Sequence, residues 1–304
     1  FISPVLFLTL PLLVWMLEKP EGEYLRAEKI WQSFKDGWWF GFGFFLAGLF
    51  WIGEAFLVEA EVFGWLLPFV VLLLPAGLAL FYGGAAVFST ILWRSGLSGL
   101  LIMAVVFSLA EWVRGHILTG FPWNVLGYAL TSNEVIMQSA SLVGIYGLTL
   151  WTIIFFCAPV VLTEQNLKTE KGMKRISTVF LGLFLIFFLM LLYGNLQISK
   201  YNNSEHNGPR IRLVQPSIPQ REKWMVDKQG EIFSLHLDLS QQTDQKNKYS
   251  INNIALLVWP EAAMPFRPLE HPEALEAIKT MLKGSETVLV SGALRIDLTE
   301  DQNA

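Results

Sequence analysis

Cysteine is almost absent from this chain. Its single thiol, Cys157, lies in an apolar run, so neither a disulfide framework nor a cysteine-based zinc site can form within it. Charge is scarce as well. Only 16% of the 304 residues are charged, against 53% hydrophobic, and the mean hydropathy is +0.44. That balance excludes an ordinary soluble domain and points to the membrane class. There is no basic block and the net charge is only −4, so nucleic acid is not an expected partner. The four histidines are scattered; His116 has no partner at ligand spacing, and no metal or cofactor is assigned. Phe1 already lies in an apolar segment, with no initiator Met or basic segment before it, so this is no ordinary signal peptide. The chain reads as a fragment truncated at both ends.

The few charges are unevenly placed. Residues 1–199 hold 22 of the 48, and the last 105 residues hold 26. A membrane part (1–199) and a soluble part (210–304) are therefore expected, joined by the polar, turn-rich linker 200–209, "KYNNSEHNGP". Uncharged windows at 1–17, 37–53, 62–93, 95–110, 135–163 and 176–199 give about six spans, each needing roughly 20 apolar residues. The first is clipped. The third carries Pro68, Pro75 and Gly83-Gly84, which suggests one span plus a broken continuation. Loops one, three and five carry the basic residues: Lys19, Arg26, Lys29 and Lys35, then Arg94, then Lys168, Lys171, Lys174 and Arg175. Positive loops favour the cytoplasm, so the soluble part is expected across the membrane.

Two polar features interrupt the membrane part. Glu54 follows "FFLAGLFWIG" and reads as an interfacial residue at a span end. The stretch 111–130, "EWVRGHILTGFPWNVLGYAL", places Glu111 and Arg114 one turn apart, able to pair at (i, i+3). Gly120, Pro122 and Gly127 then break the helix, with Trp123 and Tyr128 at interface level. By itself the stretch also fits an aromatic belt at a span end.

The soluble part alternates strand and helix. A strand at Ile211–Val214 runs into a loop punctuated by Pro216 and Pro219. Residues 226–240 carry helical periodicity. "IALLVWP" has the continuous apolar pattern of a strand covered on both faces. A helix over 272–283 starts with Pro272 and stops before Gly284, and "TVLVSGALRI" is a third strand. This is an α/β layered order. Pro260 ends the central strand and keeps Trp259 extended. Glu261 is thereby presented at the strand's carboxyl end, where open α/β sheets hold ligands. Under apolar cover beside Trp259, its pKa should be raised, which suits a general base. A solvated loop carboxylate is the alternative.

Three motifs, "EWVRGHILTGFPWNVLGY" (111–128), "VQPSIPQREKW" (214–224) and "VWPEAAMPF" (258–266), stand in this order after a run of spans. Together they resemble the apolipoprotein N-acyltransferases, bacterial inner-membrane enzymes, over nearly the whole chain. The resemblance implies a helical membrane bundle followed by an α-β-β-α nitrilase-like domain, incomplete here, on the periplasmic side. It implies transfer of an acyl chain from a phospholipid to the N-terminal amine of a diacylglyceryl lipoprotein, by a monomer without cofactor. The chemistry uses a Glu, Lys and Cys triad: a thiolate nucleophile, a carboxylate that moves protons, and a Lys on the oxyanion. Glu261 matches the general base. Trp224, with Gln220, Lys223 and Trp259 around it, matches the active-site loop. Glu111, Arg114, Phe121, Pro122 and Trp123 are then expected to shape the mouth through which lipid reaches the outer domain.

Departures from the family pattern set the expectation for activity. The triad's Lys and Cys have no match here, Cys157 sits in an expected span, and Ala262 replaces a frequent Ser. The fragment is expected to be inactive alone, with an unstable soluble part. Two other readings use the same residues. A transporter would employ Glu54, Glu111 and Arg114 as intramembrane polar groups, but the internal repeat common in such folds is not seen. A membrane-tethered nitrilase-type amidase would share the Glu261 motif.

Overall fold

The computed structural model describes residues 3–18, 26–57, 60–94, 96–163, 169–202, 208–219, 222–243, 250–261 and 263–293. The chain divides into two compact units at Ser204/Glu205.

The first unit is helical. Its helices are α1 (Leu6–Leu17), α2 (Arg26–Leu49), α3 (Ala60–Phe63), α4 (Leu67–Leu92), α5 (Leu97–His116), α6 (Glu134–Met137), α7 (Ala140–Cys157) and α8 (Glu170–Asn202). Among the described residues, five stretches are long and apolar enough to cross a membrane: Arg26–Leu57, Ala60–Leu92, Leu97–His116, Ala140–Val160 and Gly172–Tyr201. The first expected span is different. Helix α1 has 12 residues, roughly 18 Å at 1.5 Å per residue, short of the roughly 30 Å core.

Three other expectations are corrected. Helix α4 runs unbroken through Pro75 and Gly83-Gly84; the interruption is the 3₁₀ turn Gly64–Leu66 ahead of Pro68. Neighbouring helices cover Gly83, so its missing side chain serves packing. Arg26, Lys29, Lys35 and Lys174 lie on the opening turns of α2 and α8, not in loops, because a helix can continue into the headgroup layer where charge is tolerated. Helix α8 extends to Asn202, so the first residues of the expected linker are helical.

The unit's most extensive seam runs between α2 and α4. A Cβ at Gly37 would strike the Tyr82 carbonyl and Ala86, one at Gly41 would lie 2.8 Å from Tyr82 Cβ, and Gly83 receives the Phe34 ring. Small residues bring helices close where apolar burial gives no driving force between them. Leu10, Leu13, Phe45, Tyr82, Met103, Phe107 and Leu148 form the centre of this core.

The second unit follows the expected order: β1 (Ile211–Leu213), α9 (Gln229–Gln241), β2 (Leu256–Val258), α10 (Pro272–Leu282) and β3 (Val288–Val290). The strands pair in parallel in the order β1-β2-β3, with Arg212 opposite Leu257 and Leu257 opposite Leu289. Each strand is only three residues long, shorter than its apolar run. Leu257, Val214, Trp259, Ala263, Met264 and Met281 make the core. Gly284, at φ 80°, ends α10 as expected.

Replacing Gly37 by Leu forces a side chain into the α4 backbone, which cannot swing aside. The variant should lose about 1–3 kcal/mol, read as a lowered thermal midpoint of the detergent-solubilised chain. Gly43→Leu, where a Cβ meets nothing within 4 Å, should leave that midpoint in place.

Candidate functional site

In the helical unit the functional candidates gather at the end of α5. Glu111 is 0% exposed and Arg114 1%. Their carboxylate and guanidinium meet at 2.5 Å, the (i, i+3) pairing expected from spacing. The Tyr82 hydroxyl, on α4, donates to the other Glu111 oxygen, which also receives the Leu126 N–H at 3.4 Å. Arg114 Nη1 donates to the backbone carbonyls of Phe121 at 2.5 Å and Trp123 at 3.0 Å. The guanidinium carbon lies 4.9 Å from the Phe45 ring centre.

This network holds a strained loop. Between α5 and the 3₁₀ turn Leu126–Leu130, the backbone takes positive φ at Leu118 (52°), Thr119 (75°), Gly120 (81°) and Asn124 (54°). Non-glycine residues in this region cost on the order of 1–3 kcal/mol each and persist only where surroundings over-determine them. Arg114 pins the loop from inside. Asn124 pins it from the side by donating to the Phe44 carbonyl at 3.2 Å, in space left by Gly48. The result presents Leu118 (89% exposed), Pro122 and Trp123 outward, with Phe121 and Trp123 edge to face at 5.0 Å.

The expected mouth residues thus split into two groups. Phe121, Pro122 and Trp123 are on the loop, whereas Glu111 and Arg114 are sealed beneath it, because each pairs with a partner only the interior supplies. Glu54 is exposed on the 3₁₀ segment Phe50–Leu57, which fits an interfacial residue. Tyr82 and Asn124 were not singled out from sequence. A lone Tyr inside an otherwise apolar span is the signal that marks Tyr82.

In the α/β unit, strand pairing fixes the end of β2. Val214 N–H donates to the Val258 carbonyl at 3.0 Å, and Trp259 N–H to the Val290 carbonyl at 2.9 Å. Trp259 is buried (3% exposed), its indole N–H donating to Ser240 Oγ at 2.8 Å. Pro260 then opens a turn, and Glu261 stands on it. The loop before α9 closes on the same turn: Lys223 Nζ donates to the Glu261 carbonyl at 3.1 Å and lies 6.0 Å from the Trp224 ring centre. Gln229 adds a bond to the Pro265 carbonyl at 2.8 Å. Trp224, Lys223, Trp259 and Glu261 are therefore neighbours; Gln220 lies outside the described residues.

One expectation fails here. Glu261 is exposed, so the apolar cover that was to raise its pKa is not over it. The strand's alternation sends Trp259 into the core, and the turn after Pro260 carries Glu261 out of it. The buried ionisable group is His236 instead, 1% exposed and 5.3 Å from Trp259. Its Nδ1 faces the Ile232 carbonyl at 2.7 Å, and its Nε2 has no partner among the described residues. Burial holds its pKa below the ordinary 6.5, against the Ile232 bond, with the nearby Lys223 charge acting in the same direction as burial.

The apolipoprotein N-acyltransferase N-terminal domain matches residues 1–158. The chain is 38% identical over 293 residues to the apolipoprotein N-acyltransferase of Rhodopseudomonas palustris, covering 96% of this chain and 53% of the relative. It is 38% identical over 297 residues to that of Brucella suis (95% and 53%) and 37% over 306 to that of Agrobacterium fabrum (98% and 54%). The chain spans about half the length of these relatives.

Removing one partner of the buried pair strands the other charge. Arg114→Met should cost roughly 3–5 kcal/mol, and the double change Glu111→Leu/Arg114→Met distinctly less; thermal unfolding in detergent checks the order. For His236, the unfolded chain takes up a proton near pH 6.5 while the folded chain resists. Its contribution to stability is complete above that pH and is lost as pH falls below it toward the depressed folded value. His236→Gln should flatten this part of the unfolding profile between pH 7.5 and 5.

Proposed function

The chain belongs to the apolipoprotein N-acyltransferase family, and from that premise we propose that its protein moves a fatty acyl chain from a membrane phospholipid to a lipoprotein. The acceptor is the N-terminal amine of a diacylglyceryl-modified cysteine. The observation that carries this reading is the closed turn at the end of β2, where Lys223 ties the Trp224 loop to Glu261, in a chain that also holds five membrane-length helices.

Glu261 serves as general base. Its exposed carboxylate can reach a substrate without rearrangement, while paired strands hold its backbone. A thiolate attacks the phospholipid ester carbonyl, the lysophospholipid leaves with a proton, and a thioester remains. The lipoprotein amine then attacks the thioester, loses its proton to Glu261 and frees the thiol. Cys157 does not fit the nucleophile, being 0% exposed inside α7. The reading assigns the thiol and the oxyanion-stabilising Lys to the portion of the relatives that these 304 residues do not match. Taken alone, the chain is then inert. Trp224 borders the acyl site, and Phe121, Pro122 and Trp123 meet the donor lipid. The reading carries a location: the bacterial inner membrane, with the α/β unit on the periplasmic side. The basic opening turns of α2 and α8 support that orientation.

A transporter reading loses its best residues, since Glu111 and Arg114 bond inward to the protein. In the complete protein, Glu261→Gln should slow acyl transfer to a diacylglyceryl peptide at least about 100-fold while phospholipid binding persists. Undiminished transfer would remove Glu261 from the chemistry.

A further inference from the structure

Helix α7 is not one continuous helix. Gly144, at φ 67° and ψ 177°, interrupts it between Val143 and Ile145. Beside it lies a groove between α7 and α8 whose walls include Leu142, Val143, Trp151, Ile186 and Leu189, with Ser139 and Tyr193 among its polar lining. Non-helical backbone at membrane depth is tolerated where it is buried or lines a cavity. The Tyr193 hydroxyl is already engaged, receiving from Gln197 at 2.6 Å and meeting Ser141 Oγ at 2.9 Å, and Ser141 donates onward to the Gln138 carbonyl at 2.7 Å. Ser139 is the exception. It is 5% exposed, and its Oγ has no partner among the described residues. A buried hydroxyl without a partner is costly, and an acceptor arriving from outside the chain would relieve it.

The groove's length selects the occupant. Its α8 wall runs from Ile186 to Leu196, eleven residues whose axial rise is roughly 15 Å. A spanning helix would need a seat along the roughly 30 Å core; half that depth is one leaflet. The polar end, Ser139, is separated only by the short α6 and Gln138 from the exposed polar residues Ser132 and Asn133, so it lies toward the interface, where lipid esters sit. We propose that this groove holds one acyl chain of a glycerophospholipid, whose ester carbonyl accepts the Ser139 hydroxyl proton. The lining has no carboxylate, amine or thiol, so the lipid is bound and not cleaved; it is a resident lipid, separate from the acyl donor. This rests on the helical unit lying in a membrane and not on acyl transfer.

The test uses the full chain in detergent, titrated with phosphatidylethanolamine bearing a photoreactive acyl chain, with crosslinks mapped by mass spectrometry. Labelling at Leu142, Val143, Ile186 and Leu189 should saturate at one lipid per chain. Labelling at the outward-facing Leu181, Phe184 and Leu185 should rise without saturating. Leu189→Trp, which fills the groove, should lower saturable labelling at least tenfold with outward labelling unchanged, the sign that the variant is folded. Ser139→Ala, which keeps the shape, should raise the midpoint about fivefold. Groove labelling that tracks the outward face would mean ordinary bilayer lipid and overturn the proposal. So would saturable labelling untouched by Leu189→Trp, or a groove that takes no label while the outward face does.

Discussion

The Glu111–Arg114 pair is the constraint around which the helical unit is arranged. Two charges removed from water are tolerable only when most of their remaining lone pairs and protons find partners; here the Arg114 Nε–H has none among the described residues. Glu111 therefore recruits Tyr82 from α4 and the N–H of Leu126. Arg114 recruits the carbonyls of Phe121 and Trp123. The same bonds that make the pair affordable draw α4, α5 and the loop to one point. Tyr82 in turn sets the α2–α4 seam, because its ring and backbone occupy the space that Gly37 and Gly41 leave empty. The glycine seam and the ion pair are thus one construction seen from two helices.

The α/β unit fixes its own loop without a buried ion pair among the described residues. Trp259 is held by a backbone bond to β3 on one side and by its indole bond to Ser240 on the other. Arg212 donates to the carbonyl of that same Ser240, so α9 and the strand end are tied through a single residue. Glu261 is left outward with a defined backbone and a free approach. A carboxylate meant to meet a substrate gains from that arrangement, whereas the carboxylate of Glu111, bonded on both oxygens and 0% exposed, is closed to one. On the proposed reading, two glutamates in one chain are thereby divided between support and chemistry by their surroundings.

How much of this was legible in the sequence follows from which physics is local. The apolar windows and the α10 stop at Gly284 are local, and they read correctly as helix and terminus. The (i, i+3) pairing of Glu111 with Arg114 is also local, and spacing sufficed. Burial is not local. Nothing in "EWVRG" says that α4 supplies a tyrosine, so the pair could be read as lining a mouth when it lies sealed beneath a loop. The same gap explains Glu261: the strand and its proline were visible, but which side of the turn faces solvent depends on neighbours distant in sequence. The break expected among Pro68, Pro75 and Gly83-Gly84 does not fall at Gly83 for a related reason. A glycine in a helix marks either a hinge or a close approach, and only the Phe34 ring packed against it decides between them.

The kink at Gly144 reverses that last case. There a Cβ would meet nothing within 4 Å, so close packing does not account for the glycine; its backbone does, at a φ that other residues adopt only with strain. An interrupted span needs its freed polar groups met by protein, water or ligand, and near this one a serine hydroxyl remains unmet. The loop after α5, strained at three non-glycine positions, is held by Arg114 at Phe121 and Trp123 and by Asn124 at Phe44. The two irregularities differ in what completes them. The first is closed by the chain's own side chains and so holds a fixed surface toward the lipid. The second is left with an open polar contact, and its completion falls to a molecule of the surrounding bilayer.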